Sequence, residues 1–135
     1  MNTNPNEQRR TVSTNNNWEQ RFGYARLNKA GPNIYIGGTV ALTQDGAAYK
    51  PHDPAAQTTR CFQIIENALK QINLDRTAIM RSRVFVTDIT HAQSIGQAHK
   101  AFFGDHQPCL TMLEIKSLIA PEYLVEIECD AWSAK

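Results

Sequence analysis

Apolar and polar residues alternate through the last quarter of the chain. From Val125 to Ala131 every second residue is apolar, and the residues between them are Glu126, Glu128 and Asp130. A period of two predicts a strand with one buried face, which puts the three carboxylates in a row on the other face. Like charges in such a row repel each other unless water, cations or hydrogen-bond donors separate them.

Four further segments have the composition of strands, and they cover residues 22–28, 33–36, 79–86 and 111–115. The first two are joined by Ala30-Gly31-Pro32-Asn33, which is a strong turn signal. The pair Gly37-Gly38 is expected to end or bend the second strand, because glycine adds no side chain to a strand and loosens its backbone.

One helix is predicted clearly, over about residues 54–73. Its apolar residues from Cys61 to Ile72 are one, three or four positions apart, which is typical of one buried helical face. Asp53 is a suitable N-cap, and Pro54 suits the first helical position.

A second helix is expected after the capping candidates Asp88 and Thr90, ending at Gly104. The order strand, strand, helix, strand, helix, strand, strand predicts an α+β domain with one sheet and both helices on one face. Residues 1–17, rich in Asn, Thr and Gln, are predicted to be a flexible N-terminal arm, which leaves 18–135 as a single domain.

Composition narrows the functional classes. A chain of 135 residues with 41% hydrophobic residues can bury the core of one domain, and a net charge of +1 favours no polyanionic partner. There is no basic run, signal peptide or apolar stretch long enough to span a bilayer, so we expect a cytoplasmic protein that binds neither nucleic acid nor membrane.

The cysteines and histidines suggest no metal centre or cofactor. Cys61, Cys109 and Cys129 are widely spaced and odd in number, which favours reduced thiols. The four histidines form no pattern with ligand spacing, so no metal is predicted. Phosphate loops and dinucleotide fingerprints are absent, and we expect no cofactor.

Several motifs together resemble the Rid (YjgF) family. The end of the chain carries Pro108 and Glu126-Ile127-Glu128, and the family has Pro-x-Arg-Ser, a strand, and then a Glu-Ile-Glu strand. Tyr24, Gly31 and Gly38 are spaced at seven-residue intervals, as are the family's tyrosine, turn glycine and Ser-Gly. The segments VFVTDI at 84–89 and AFFGDH at 101–106 extend the similarity, but Leu110 stands where the family has its arginine.

The resemblance implies a chorismate-mutase-like fold that assembles as a homotrimer, with ligand clefts between subunits. In the family, the arginine binds a substrate carboxylate through two hydrogen bonds, and the first glutamate of Glu-Ile-Glu holds a water. By position, the implied catalytic residue is Glu126. The implied ligand-binding residues are Tyr24, Gly38, Leu110 and Met112.

Each of these residues also has a simpler explanation. Glu126 could be one of three solvated or inter-subunit carboxylates, and Tyr24 could be a packing aromatic residue. Arg26, two residues from Tyr24 on the same strand face, has two possible roles. It could bind an anion in the cleft, or it could be an inter-subunit partner for Glu126, Glu128 or Asp130.

Two functions therefore stay open. The first is a homotrimer that binds a small metabolite and has little 2-imino acid deaminase activity, because leucine has no donor for a carboxylate. The alternative is an enamine or imine deaminase, a hydrolase that uses a water held by Glu126.

Overall fold

The computed structural model describes residues 8–134, which contain one six-stranded sheet. The strands are β1 (Arg9–Val12), β2 (Leu27–Ala30), β3 (Asn33–Val40), β4 (Ile79–Val86), β5 (Cys109–Glu114) and β6 (Val125–Trp132). The helices are α1 (Asn17–Phe22), α2 (Pro54–Lys70) and α3 (Ala92–Phe103), with two short 3-10 turns, Arg76–Ala78 and Ile89–His91. The predicted α+β class with a single sheet is confirmed.

The sheet has the order β1-β2-β3-β6-β4-β5. All neighbours are antiparallel except β4 and β5, which are parallel. The last strand of the chain therefore lies at the centre of the sheet, between β3 and β4. As a consequence, β3 and β5 lie on opposite sides of β6, and no direct pairing joins them.

Helix α2 begins as its sequence predicts. The Asp53 side chain accepts a hydrogen bond from the Ala56 amide at 2.9 Å, and Pro54 occupies the first turn. The helix ends at Lys70 rather than near residue 73, because the chain turns there and Asn73 adopts a left-handed φ of 61°. Asparagine tolerates this conformation better than most residues.

Residues 8–134 form one hydrophobic core between the sheet and the two long helices. Helix α2 packs across β3 and β6, and α3 packs against α2, so both helices cover one face. The Phe62 ring lies 5.1 Å from that of Phe102 and 5.0 Å from that of Phe103, measured between centroids. Burial of a side chain of this size contributes about 1.5–3 kcal/mol, so this cluster anchors the helix pair.

The N-terminal region differs from the prediction. Within the predicted arm, residues 9–12 form β1, which pairs with β2, and residues 1–7 lie outside the described part of the chain. The predicted strand at 22–28 begins only at Leu27, because Phe22 ends helix α1 and Gly23 follows with a left-handed φ of 73°. None of the helices in the described chain has the length and apolarity required to cross a membrane.

The helix-free face carries an ion-pair network between β4 and β6. Arg83 contacts Asp130 at 3.0 Å and Glu128 at 3.7 Å, and Arg81 lies 3.9 Å from Asp130. These arginines are the cations that separate two of the three aligned carboxylates. The hydrogen bond from Arg83 to Asp130 also raises the pKa of Arg83.

Candidate functional site

A cavity of about 200 Å³ lies where β3 and β6 meet helix α1. Most of its wall is aromatic or aliphatic, and a few polar groups line its base. The lining residues are Asn16, Trp18, Phe22, Tyr24, Arg26, Gly38, Thr39, Val40, Leu42, Ile64, Ile119 and Glu126. An apolar pocket with a few converging polar groups is the usual form of a small-molecule site.

A bulge in β3 shapes the base of the cavity. Ile36 is opposite Cys129, but Thr39 is opposite Ile127, so β3 has one extra residue between these pairs. The predicted bend at Gly37-Gly38 is therefore present, and bulges of this kind re-aim side chains next to binding sites.

Gly38 allows the carboxyl of Glu126 to approach the backbone. A Cβ atom at position 38 would lie 3.1 Å from the Glu126 Cδ and 3.3 Å from each carboxylate oxygen. That separation is shorter than most real Cβ contacts, so a larger residue would push the carboxyl away. The glycine is needed for space and not for its backbone angles.

Arg26 is buried under α1, and its guanidinium binds groups of the same chain. Its Nη1 donates to the Gly37 carbonyl at 3.2 Å, the Gly38 carbonyl at 2.6 Å and the Thr39 hydroxyl at 2.7 Å. Its Nη2 lies 3.4 Å from Glu19. Arg26 thus fixes the bulge and pairs with a buried carboxylate.

Glu19 is positioned by the start of α1. The Asn16 side chain accepts from the Glu19 amide at 2.8 Å, which caps the helix. The Glu19 carboxylate accepts bonds from the Thr14 hydroxyl and amide and from the Ser13 hydroxyl. Burial would raise the pKa of Glu19, but these bonds, together with the charge of Arg26, lower it.

Glu126 has a different environment from Glu19. Burial raises the pKa of Glu126, and the charge of Arg26 opposes that rise only in part. Across residues 8–134, no hydrogen bond to the Glu126 carboxylate and no ion pair within 4 Å is observed. It is therefore a half-buried carboxylate that faces a cavity without a fixed partner.

The structure bears on the two roles considered for Arg26. Within one chain, Glu128 and Asp130 pair with Arg83 of β4, and pairing of Arg26 with carboxylates across a subunit interface stays a prediction. Pairing with Glu126 is not observed within the described chain. Arg26 lines the cavity, as the other role requires, but its hydrogen-bonding groups are directed at Glu19 and the bulge.

Of the six predicted site residues, four lie together and two do not. Tyr24, Arg26, Gly38 and Glu126 line one cavity. The other two, Leu110 and Met112, are on β5, which is separated from β6 by β4, and neither lines this cavity. Leu110 is 41% exposed at the sheet edge.

Several lining residues were not expected from the sequence. Trp18 and Phe22 come from α1, and their rings stack with centroids 5.7 Å apart. The sequence does hold a signal for this helix, because Asn16 is followed three residues later by Glu19, the pattern of an N-terminal capping box. Ile119 and Ile64, from a loop and from α2, have no comparable signal.

The described residues support neither a metal centre nor a thiolate nucleophile. No group of three His, Cys, Asp or Glu side chains suited to a metal occurs within 8–134. All three cysteines are free, and burial raises the pKa of Cys129 to about 12, which suppresses its thiolate. A second, more polar cavity adjoins the first at Asn16, Leu42 and Ile64.

Comparison with known proteins identifies relatives along most of the chain. The profile of a family described as endoribonuclease L-PSP matches residues 14–133. An uncharacterized protein of Streptomyces coelicolor is 31% identical over 123 residues, which cover 91% of each chain.

Solved structures agree with this match. A Mycobacterium tuberculosis member of the YjgF/YER057c/UK114 family is 36% identical, with a TM-score of 0.83 over 93% of this chain and 99% of that one. The Escherichia coli YjgF gene product, at 24% identity, has a TM-score of 0.73 over 81% and 87% of the two chains, a likeness of fold alone.

Proposed function

The chain belongs to the endoribonuclease L-PSP family, which includes the YjgF (Rid) proteins, and on this premise we propose that it is a homotrimer that binds a small metabolite between its subunits. The observation that carries this proposal is the cavity that unites Tyr24, Gly38 and Glu126. These residues come from three separate segments, yet they surround one space of ligand size.

The position of Leu110 supports a cleft between subunits. Leu110 is exposed on the edge strand β5, on the far side of β4 from the cavity, whereas Met112 on the same strand packs against the core of its own chain. A second copy that places its β5 edge over the cavity would bring Leu110 to the ligand. The network of Arg83 with β6 lies on the helix-free face, which three copies would cover together.

We propose that hydrolysis of 2-imino acids by this protein is negligible. Leu110 has no donor for a carboxylate, and no lysine or arginine lies within five residues of it. Arg26 does not replace the missing group, because its Nη atoms already serve four acceptors. Loss of a buried charged contact of this type costs about 2–5 kcal/mol.

One observation favours the alternative, an imine or enamine hydrolase. The Glu126 carboxyl faces the cavity, and burial raises its pKa. A carboxylate with a raised pKa is a better proton acceptor for a water molecule near neutral pH. This alternative requires a substrate that the cavity can hold without a carboxylate clamp.

The test is to introduce the missing arginine. We expect Leu110→Arg to accelerate keto-acid formation from a 2-imino acid generated in situ, because a fixed carboxylate aligns the imine carbon with the water. Ile89→Arg is the matched control: Ile89 is also 41% exposed and lies outside the cavity lining. Light scattering of each protein is expected to give a trimer mass.

Three results would count against the proposal. Rapid 2-imino acid hydrolysis by the unmodified protein would show that another group binds the carboxylate. Equal activity in the Leu110→Arg and Ile89→Arg proteins would remove Leu110 from the site. A monomer mass at micromolar concentration would exclude a cleft between subunits.

A further inference from the structure

Among residues 8–134, Arg26 is the one cation that lines the cavity, and most of its hydrogen bonds are made within the chain. Arg26 donates to three oxygens of the β3 bulge and pairs with Glu19, so its charge is compensated inside the chain. Its Nε–H has no partner within residues 8–134, but it is buried beyond the reach of a ligand in this conformation. An anionic ligand would therefore meet a cation whose Nη1 donors are used and whose charge Glu19 already compensates.

Unlike Arg26, Glu126 brings to the cavity a charge that has no fixed partner. Glu19 compensates Arg26 but does not line the cavity, and Glu126 is the only carboxylate among the lining residues of the described chain. The neighbouring strand β4 offers no cation at this position, because its register places Phe85 opposite Glu126 and Arg83 opposite Glu128. A positively charged donor from a ligand would supply the missing partner.

The walls suit the body of an organic cation. Trp18, Phe22 and Tyr24 contribute aromatic rings, and aliphatic side chains complete the lining. The faces of Trp18 and Phe22 already accept a guanidinium, since the Arg21 Cζ lies 5.5 Å and 5.7 Å from the two ring centroids. Aromatic faces attract ammonium and iminium groups through the same electrostatic effect.

From this geometry we infer that the cavity takes an organic cation, an amine or iminium on an apolar or aromatic body, and discriminates against carboxylates. The inference rests on the proposed function and names its ligand class. The charged nitrogen donates to the Glu126 carboxylate, and the apolar body contacts the aromatic wall. The side chain at position 110 is consistent with this class, because leucine offers nothing to an anion.

The experiment compares four ligands that share a phenyl group and differ in charge. They are 2-phenylethylamine, 3-phenylpropanoate, phenylalanine and 3-phenylpropan-1-ol, titrated calorimetrically into the unmodified protein. We expect 2-phenylethylamine to bind best and 3-phenylpropanoate to bind roughly ten- to a hundred-fold more weakly, as for loss of a charged hydrogen bond. Because this comparison uses the unmodified chain, it does not depend on any variant folding.

Two variants then locate the effect. Glu126→Gln should reduce the affinity for 2-phenylethylamine to that for the uncharged alcohol. Glu128→Gln is the matched control, because Glu128 is on the same strand but pairs with Arg83 and lies outside the cavity lining. The control should leave the preference for the amine unchanged.

The outcomes distinguish a failure of the cation preference from a failure of the proposed small-molecule binding. Binding of 3-phenylpropanoate as tight as that of the amine, or an equal loss in both variants, would overturn the cation preference alone. Saturable binding of the alcohol would in that case still support a small-molecule cavity. If none of the four ligands binds, both the inference and the proposed binding function fail.

Discussion

Two ends of the same central strand treat their carboxylates differently. At one end of β6, Glu128 and Asp130 face arginines of β4, which lie opposite them in register. At the other end, Glu126 lies opposite Phe85 and faces a cavity without a cation of its own. The alternation that places all three residues on one face is uniform, so the neighbouring strand decides which charge is neutralised.

The paired and the unpaired carboxylates have different effects on stability. Paired carboxylates on a half-exposed face contribute modestly to stability and keep the strand in register. An unpaired carboxylate in a partly buried cavity costs stability, since burial penalises its charge. Such a group is typical of a functional site, where stability is given up for chemistry or binding.

Removal of Arg26 is the largest expected perturbation, because it makes a second carboxylate resemble Glu126. Arg26→Ala leaves Glu19 buried without its cation and frees three oxygens of the bulge. We expect a loss of about 3–5 kcal/mol in the free energy of unfolding, as for a broken buried pair. Urea denaturation followed by tryptophan fluorescence measures it.

Arg21→Ala is the control for this prediction. Arg21 is exposed and contacts the faces of Trp18 and Phe22, so its removal should cost only about 0.5–1 kcal/mol. The double variant Arg26→Ala/Glu19→Gln should regain part of the loss, because it removes the orphaned charge. Equal destabilisation by Arg26→Ala and Arg21→Ala would mean that the buried pair has no special role.

The sequence predicts much of this architecture, for identifiable reasons. The period of two predicted strand β6, and the three- and four-residue spacing predicted helix α2, because each pattern places the apolar residues on one buried face. Helix α1 was missed because its residues lie in a polar stretch, although Asn16 and Glu19 form a cap. A six-residue helix has too little apolar periodicity to be recognised from its pattern.

The candidate site was predicted less completely than the fold. Family resemblance indicated Tyr24, Gly38 and Glu126, and the cavity brings them together. The pairing of Arg26 with Glu19 follows from the turn at Gly23, whose left-handed backbone reverses the chain between the two residues. No linear spacing indicates such a contact, and the place of Leu110 in the site stays a prediction.

A smaller effect is expected at the paired end of the strand. Arg83→Ala removes the contacts to Glu128 and Asp130, both half-exposed, so the stability change should be a small fraction of that for Arg26→Ala. Arg81→Ala, which loses one contact at 3.9 Å, should have less effect still. Thermal unfolding at low and high salt tests this, since screening should shrink both changes. A large, salt-independent loss would show that this end is not a solvated network.

The smallest expected change is at Glu126, and its sign is opposite to that at Arg26. The pKa of Glu126 is raised in the folded chain, so the native state binds this proton more tightly than the unfolded state does. The contribution of Glu126 to the free energy of unfolding therefore rises as the pH falls from the raised pKa towards the ordinary glutamate pKa of 4.5. At neutral pH, Glu126→Gln should stabilise the protein by on the order of 0.5 kcal/mol, because it removes an unpaired charge.

The pH dependence gives this last prediction its control. The pKa of Glu19 is lowered, so the stability that Glu19 contributes is lost as pH falls below the ordinary pKa of a glutamate. This loss is the same in both proteins, and it therefore cancels when their stabilities are compared. The advantage of Glu126→Gln over the unmodified protein should therefore shrink steadily as pH falls towards 4.5. Glu128→Gln, which loses a pairing with Arg83, should show no gain at neutral pH. A Glu126→Gln protein that is less stable than the unmodified one at neutral pH would mean that Glu126 has a stabilising partner, and the contrast between the two ends of β6 would then be wrong.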